Sequence, residues 1–296
     1  MPAPAPDDAS SQLTVVLIPL VGGDALTRLE RSIAALGVRH IVVDRCGGCI
    51  DGLGHVLKGG ADRQAVPVRR RLGAEAANTP FVAFLEDTVV PAETWLDDLL
   101  SAFAPADVAA VGGPVMVAER LPTRCRALGL TEYGKYHAKF GGSDGSVATL
   151  PGANFAFRTA PLLAAMPEPQ DALIDNEVFD RLISQAYRLA FAPSMAVEYA
   201  EPHGEGARLS TRFNHGRLYA SGACRGRGVP FRAMFVLKSL ALPFVLTARQ
   251  LRQVSPALRT GLAVVAWVLA FNLWWSAGEL VGAAAGGARG GLDQWQ

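Results

Sequence analysis

The feature that most constrains this chain is Leu13–Leu20 (LTVVLIPL), a continuous apolar and β-branched run. It has no polar face to offer water, so it reads as a strand buried on both sides. The next segments obey the same logic. Ala25–Leu36 carries Leu26, Leu29, Ile33 and Leu36 at helical spacing, and His40–Asp44 (HIVVD) is a second short strand. Together these form a β-α-β unit. Val66–Val68 reads as a third strand, Arg71–Asn78 as a helix and Phe81–Leu85 (FVAFL) as a fourth strand. Pro91–Phe103 comes next as a helix, and Val108–Val111 as a strand stopped by Gly112-Gly113-Pro114. Alternating strands and helices predict an α/β domain with a mostly parallel sheet covered on both faces. Farther on, Gly141–Gly145 reads as a turn, Asn176–Gln185 as a helix, Arg188–Phe191 as a strand and Leu209–Tyr219 as an amphipathic helix.

Composition narrows the function. The 296 residues carry 28 Lys+Arg and 27 Asp+Glu, a net charge of +1. No chain-wide basic field exists for nucleic acid, which is not an expected partner. With 50% hydrophobic and 19% charged residues the chain is not a disordered polyelectrolyte. Four cysteines make no disulfide framework and point to a reducing compartment. Residues 1–12 read as a disordered lead-in without the basic and apolar regions of a signal peptide.

The apolar excess gathers near the C-terminal end. Thr260–Gly278 has no formal charge, and as a helix it spans about 28 Å, close to the hydrocarbon thickness of a bilayer. Trp274 and Trp275 lie near one end, where an interfacial belt would put them. A buried core helix is the alternative. Phe231–Ala248 contains Lys238 and Pro243 and reads as a helix lying in the interface. Arg249, Arg252 and Arg259 between the two segments place that loop on the cytoplasmic side. The expected organisation is a catalytic domain over 13–230, membrane-associated helices over 231–283 (interfacial 231–248, transmembrane 260–278) and a tail over 284–296.

Several residues can carry chemistry. Glu86 and Asp87 leave the fourth strand, where α/β sheets bind ligands. Two carboxylates there suit Mg²⁺ or Mn²⁺ bridging a diphosphate, or else Asp87 or Thr88 caps the next helix. Asp44, ending its strand, suits a base or ribose, or simply a turn. Cys46–Cys49 (CGGC) carries a redox spacing, but the acidic turn and the apolar end would then go unexplained. Asp175 and Glu177 stand at a helix start as candidate general bases; at i, i+2 they do not share a face. Arg208, Arg212, Arg217, Arg225 and Arg227, with His203 and His215, can meet a diphosphate, anionic lipid or water.

These pieces, in order, resemble the inverting family-2 glycosyltransferases of the GT-A fold, above all bacterial members with a hydrophobic C-terminal end. The resemblance rests on VVLIPL, HIVVD, RRRLGAEAANTPFVAFLEDTVVPAETWLDDLLSAF, AAVGGPV, EYGKY, LPGANFAFR, DNEVFDRLISQAYRLAFAP and RFNHGRLYASG. It implies a GT-A domain, Rossmann-like with a mostly parallel sheet and flanking helices, followed by membrane-associated helices. It implies transfer of a sugar from a nucleotide-sugar donor to a lipid-linked or saccharide acceptor near the membrane, as in cell-envelope polysaccharide or glycolipid assembly, with the domain on the cytoplasmic side of the inner membrane. By that resemblance Asp44 contacts the nucleoside, Glu86 and Asp87 hold the divalent cation, and Gly152 and Asn154 line the acceptor side. Asp175 or Glu177 is the base, and Arg212, His215 and Arg217 sit near the leaving diphosphate. Thr88 stands where the family has a third acid, and Arg45-Cys46 replaces its acidic and small residues. A catalytically impaired, membrane-tethered module that binds a sugar nucleotide or a partner is the alternative.

Overall fold

The computed structural model describes residues 11–60, 63–136, 145–168, 173, 175–200, 208–224, 226–253 and 261–285. Most of the turn expected at 141–145 lies outside these residues. So do Ile174, His203, Arg225, Arg259, the first ten residues and the tail from 286. The strands are β1 (Leu13–Ile18), β2 (Arg39–Val43), β3 (Cys49–Asp51), β4 (Val56–Lys58), β5 (Phe81–Glu86), β6 (Val89–Pro91), β7 (Val108–Gly112), β8 (Val115–Val117), β9 (Asn154–Arg158), β10 (Arg188–Phe191) and β11 (Val197–Tyr199). The helices are α1 (Asp24–Ala35), α2 (Val66–Ala76), α3 (Trp95–Ala102), α4 (Thr123–Tyr133), α5 (Thr159–Ala164), α6 (Asp175–Ser184), α7 (Arg208–Ala223), α8 (Val229–Gln253) and α9 (Leu262–Ala285).

By contacts the chain divides into two compact units: residues 1–116 with 136–202, and 117–135 with 203–296. The first holds an eight-stranded sheet in the order β10-β7-β9-β5-β1-β2-β3-β4. β1 is buried along its whole length, as its sequence predicts. It pairs in parallel with β2 and β5, and β10 pairs in parallel with β7. The sheet is nonetheless mixed rather than mostly parallel. β9 runs antiparallel between β5 and β7, and β2, β3 and β4 form an antiparallel ribbon at the edge. Cys46-Gly-Gly-Cys49 turns the chain back within a few residues, and antiparallel neighbours need no crossover helix. Four phenylalanines fill the core behind β5 and β9, with Phe84–Phe155 ring centroids at 5.4 Å and Phe157–Phe179 at 6.2 Å.

Val66–Val68 is the first turn of α2, not a strand. Pro67 occupies a position where the helix has no use for its missing N–H. α2 lies close against β1: a methyl group on Gly73 would run into the Val16 side chain. α3 starts at Trp95 rather than Pro91, because Val89–Pro91 pairs with β11 in a separate sheet, β6-β11-β8.

The second unit groups α4 and α7 with α8 and α9, whereas the sequence reading placed the boundary at residue 230. Its construction is inside-out. Met234, Leu237, Leu240, Phe244 and Val245 on α8 are exposed, while polar groups are turned inward. Glu279 accepts hydrogen bonds from Ser239 Oγ at 3.0 Å and Trp275 Nε1 at 2.7 Å. Asn272 Nδ2 donates to Thr247 Oγ1 at 3.0 Å and Gln250 Oε1 at 2.8 Å, and Gln250 Nε2 donates to the Thr131 carbonyl at 3.0 Å. Both α8, over Val229–Arg252, and α9 are long and apolar enough to cross a membrane. The sequence had separated them into an interfacial and a spanning segment.

α7 and α9 meet backbone to backbone. Gly278 and Gly282, one helical turn apart, face the carbonyls of Phe213 and Arg217, and Gly216 faces that of Trp275. Small residues at this spacing let helix axes approach closely. Gly278→Ile is expected to force the helices apart at about 1–3 kcal/mol or more. Thermal unfolding of the detergent-solubilised chain should show a lowered midpoint, with Gly278→Ala intermediate.

Candidate active site

The carboxyl ends of β1, β2 and β5 open onto one loop, Pro19–Gly22, and the charged groups around it define the site. Asp87, just past β5, is fully buried. Its carboxylate accepts backbone N–H bonds from Leu20 at 2.8 Å, Val21 at 3.0 and 3.2 Å and Gly22 at 2.6 Å. Bonds to a buried carboxylate are the strong kind. Arg69 Nη1 donates to the Pro19 carbonyl at 3.0 Å, and Arg45 Nη2 to the Leu20 carbonyl at 2.6 Å. The loop is clamped on both its amides and its carbonyls.

Next to Arg69 on α2, Arg70 forms the centre of the site. Its guanidinium donates to Glu86 Oε1 at 2.9 Å, Asp175 Oδ1 at 2.6 Å and the Gly152 carbonyl at 2.8 Å, and it lies 4.9 Å from the Phe155 ring centroid. Arg70 and Glu86 are buried and Asp175 is half-buried. This cation joins three residues that the sequence assigned separately to donor, base and acceptor: Glu86, Asp175 and Gly152. Gly152 has to be small: a Cβ there would stand 2.9 Å from Asp175 Oδ2 and 3.0 Å from Arg70 Nη2. Arg70 itself carried no assigned role, since the sequence reading placed it between an expected strand at Val66–Val68 and a helix from Arg71. The available signal was the Leu72-Gly73-Ala74 run behind it, whose small residues let the helix settle on the sheet.

Positive charge gathers here. Burial, then the neighbouring Arg45 charge, pushes Arg69 down to about 10, with Glu86 and Asp87 opposing and Arg70 adding to the shift. Asp44 ends β2 half-buried, and its Oδ1 accepts the N–H groups of Cys46 and Gly48, each at 2.8 Å. That is the turn alternative of the sequence reading, holding CGGC as a hairpin. Cys49 is buried within β3, and burial raises its thiol above the usual range.

Asn154 and Glu177 do not join this network. Asn154 is fully buried and its amide is spent inside the fold. It accepts from Trp95 Nε1 at 2.9 Å and donates to the Met195 carbonyl at 2.8 Å. Asn154 thereby ties β9 to α3 and to the segment before β11. Glu177 lies exposed on the first turn of α6, while Asp175 on the same turn reaches Arg70.

Arg212, His215 and Arg217 belong to α7 in the other unit. There Arg212 is buried, pairs with Glu132 at 3.9 Å and stacks over the Trp275 ring at 4.6 Å. Burial, then the Arg212 charge, pushes His215 down to about 4 from 6.5.

No protein-family model matches the chain, and no curated protein matches it. Among solved structures, the mannosyltransferase PcManGT from Pyrobaculum calidifontis, in complex with GDP-Man and Mn²⁺, aligns with a TM-score of 0.56 at 16% identity, covering 92% of this chain and 86% of that one. The fold is GT-A. A weaker likeness, to A197 from STIV, has a TM-score of 0.39 at 18% identity and covers 61% of this chain and 82% of that one.

As ligands of a divalent cation, Glu86 and Asp87 fit poorly in this arrangement. Both oxygens of Asp87 are committed to loop amides, and Glu86 already faces a guanidinium. Among the described residues no three His, Cys, Asp or Glu side chains cluster as a metal site.

Asp87→Asn leaves one acceptor oxygen for three amides. It is expected to cost about 1–3 kcal/mol and to speed hydrogen exchange at Leu20, Val21 and Gly22 in metal-free protein. A pure metal ligand would leave those amides unchanged. For His215, the unfolded chain binds more protons than the folded one between about pH 4 and 6.5. Stability therefore rises with pH across that window and is lost on acidification. Denaturation midpoints at several pH values should show this slope, and His215→Gln should flatten it.

Proposed function

We propose that the chain is a glycosyltransferase that moves a sugar from a nucleotide-sugar donor to a membrane-proximal acceptor, lipid-linked or saccharide, with inversion. One observation carries the reading: on a GT-A fold, Arg70 draws Glu86, Asp175 and Gly152 together at the carboxyl ends of the central strands. α/β sheets bind their ligands at such ends. PcManGT supports a nucleotide-sugar donor, because its structure contains GDP-Man. The inner membrane, with the domain on its cytoplasmic side, and a place in cell-envelope polysaccharide or glycolipid synthesis belong to the same proposal.

In this mechanism Asp175 removes the acceptor hydroxyl proton. The freed oxygen bonds to the anomeric carbon from the face opposite the diphosphate, and the carbon–oxygen bond to the diphosphate breaks with its electron pair leaving on the phosphate. Arg70, 2.6 Å from the Asp175 carboxylate, orients this base. Asp44, at the end of β2, marks the nucleoside side. The guanidiniums of Arg45 and Arg69 bias the cleft toward an anionic leaving group, and electrostatic stabilisation of developing charge is a major source of rate. No step runs through a cation at Glu86 and Asp87, given the engagement of both. Mn²⁺ belongs to the neighbour's complex.

Donor hydrolysis and transfer across a panel of nucleotide sugars, with Mn²⁺ and with chelator, test the proposal. Asp175→Asn is expected to lower kcat by about 10²–10⁴ with donor affinity kept. Glu177→Gln should stay within a few-fold of the parent. Equal losses in both variants would remove Asp175 from the role. The engagement of Asp44 and Asp87 with loop amides favours one second reading, the tethered binding module. Donor binding by calorimetry without turnover of any acceptor would support it.

A further inference from the structure

We infer that the C-terminal end of α8 is a docking site for an anionic lipid headgroup, with Arg249 and Arg252 gripping the phosphate and the apolar stripe of α8 lying along the acyl chains. This rests on the reading that α8 lies against a membrane. The stripe is laid out by helical geometry. Met234, Leu237, Ala241, Phe244, Val245 and Ala248 recur at three- and four-residue steps and are all exposed or half-buried. Residues so spaced share one face. Lys238, beside this face, folds its ammonium over the Phe235 ring at 4.6 Å. The stripe ends abruptly in charge: Arg249 and Arg252, themselves three residues apart, are exposed.

Where stripe and charge meet, Val245, Ala248, Arg249 and Arg252 line an open pocket of about 460 Å³. The pocket is apolar toward the helix middle and cationic toward the helix end, the polarity of a phospholipid read from tail to head. No described residue forms an ion pair with either guanidinium. The neighbouring charge is also positive. Lys135, after α4, is shifted down by its burial and then by Arg249. Two exposed guanidiniums beside a third cation repel one another. A phosphate relieves that repulsion, and a guanidinium fork matches its oxygens. The C-terminal carbonyls of α8 favour arginines there in any protein, but that accounts neither for the exposed apolar stripe leading to them nor for the pocket at the junction.

The test uses the full chain purified in a neutral detergent and native mass spectrometry with equal phosphatidylglycerol and phosphatidylcholine. The parent chain is expected to retain phosphatidylglycerol in preference. Each arginine contributes roughly five-fold near an anionic headgroup, so Arg249→Gln with Arg252→Gln should lose about twenty-five-fold in preference and keep phosphatidylcholine retention. Leu240→Gln with Phe244→Gln should lower retention of both lipids alike. An unchanged preference in the arginine variant would overturn the proposal. So would inorganic phosphate competing as well as the lipid, which marks a free-anion site, or a dimer that forms through this face in place of lipid. If the parent retains neither lipid, the membrane reading falls as well, whereas loss of preference alone leaves it standing.

Discussion

A guanidinium taken out of water must be answered by carboxylates, and Arg70 meets that requirement in a way that organises the site. With Glu86 and Asp175 on either side and the Gly152 carbonyl below, the charge is satisfied within the fold. Removing Arg70 would take the cation away from two carboxylates, one buried and one half-buried, which is a costly change. Strand, helix and glycine turn are therefore held in register by one side chain. The catalytic proposal depends on this, because Asp175 belongs to an element of its own and meets the strand ends through that cation.

Much of the frame was legible because burial leaves a plain mark. β1 and β5 are runs that no amphipathic element would tolerate, and α1 and α6 keep their apolar residues at helical steps. Two regular elements, α4 (Thr123–Tyr133) and β9 (Asn154–Arg158), were not assigned, and neither were the shortest strands. β3, β4 and β6 have three residues each, too few for a period to show. Val66–Val68 has the composition of a strand, but Pro67 makes it the opening of α2.

The site was legible by position more than by role. Acidic residues at strand ends stand out in the sequence, yet a sequence does not tell a carboxylate aimed at a ligand from one aimed at its own backbone. Asp44 Oδ1 and both Asp87 oxygens accept backbone N–H groups, and Asn154 spends its amide on Trp95 and Met195. Partners so far away in the chain leave no local signature. The same holds for the second unit, where the apolar content of α8 and α9 was evident but the inward-facing set of Glu279, Asn272 and Ser239 was not.

The hold of Asp87 on the Pro19–Gly22 loop has a kinetic side. Its partners lie 65 to 67 residues earlier in the chain, and contacts so remote form only after the intervening segment has closed. Leu20, Val21 and Gly22 cannot take their final posture until β5 has docked beside β1. The Pro19–Gly22 loop thus sets no earlier than the pairing of β1 with β5, which joins residues equally remote in the chain, such as Leu13 and Phe81.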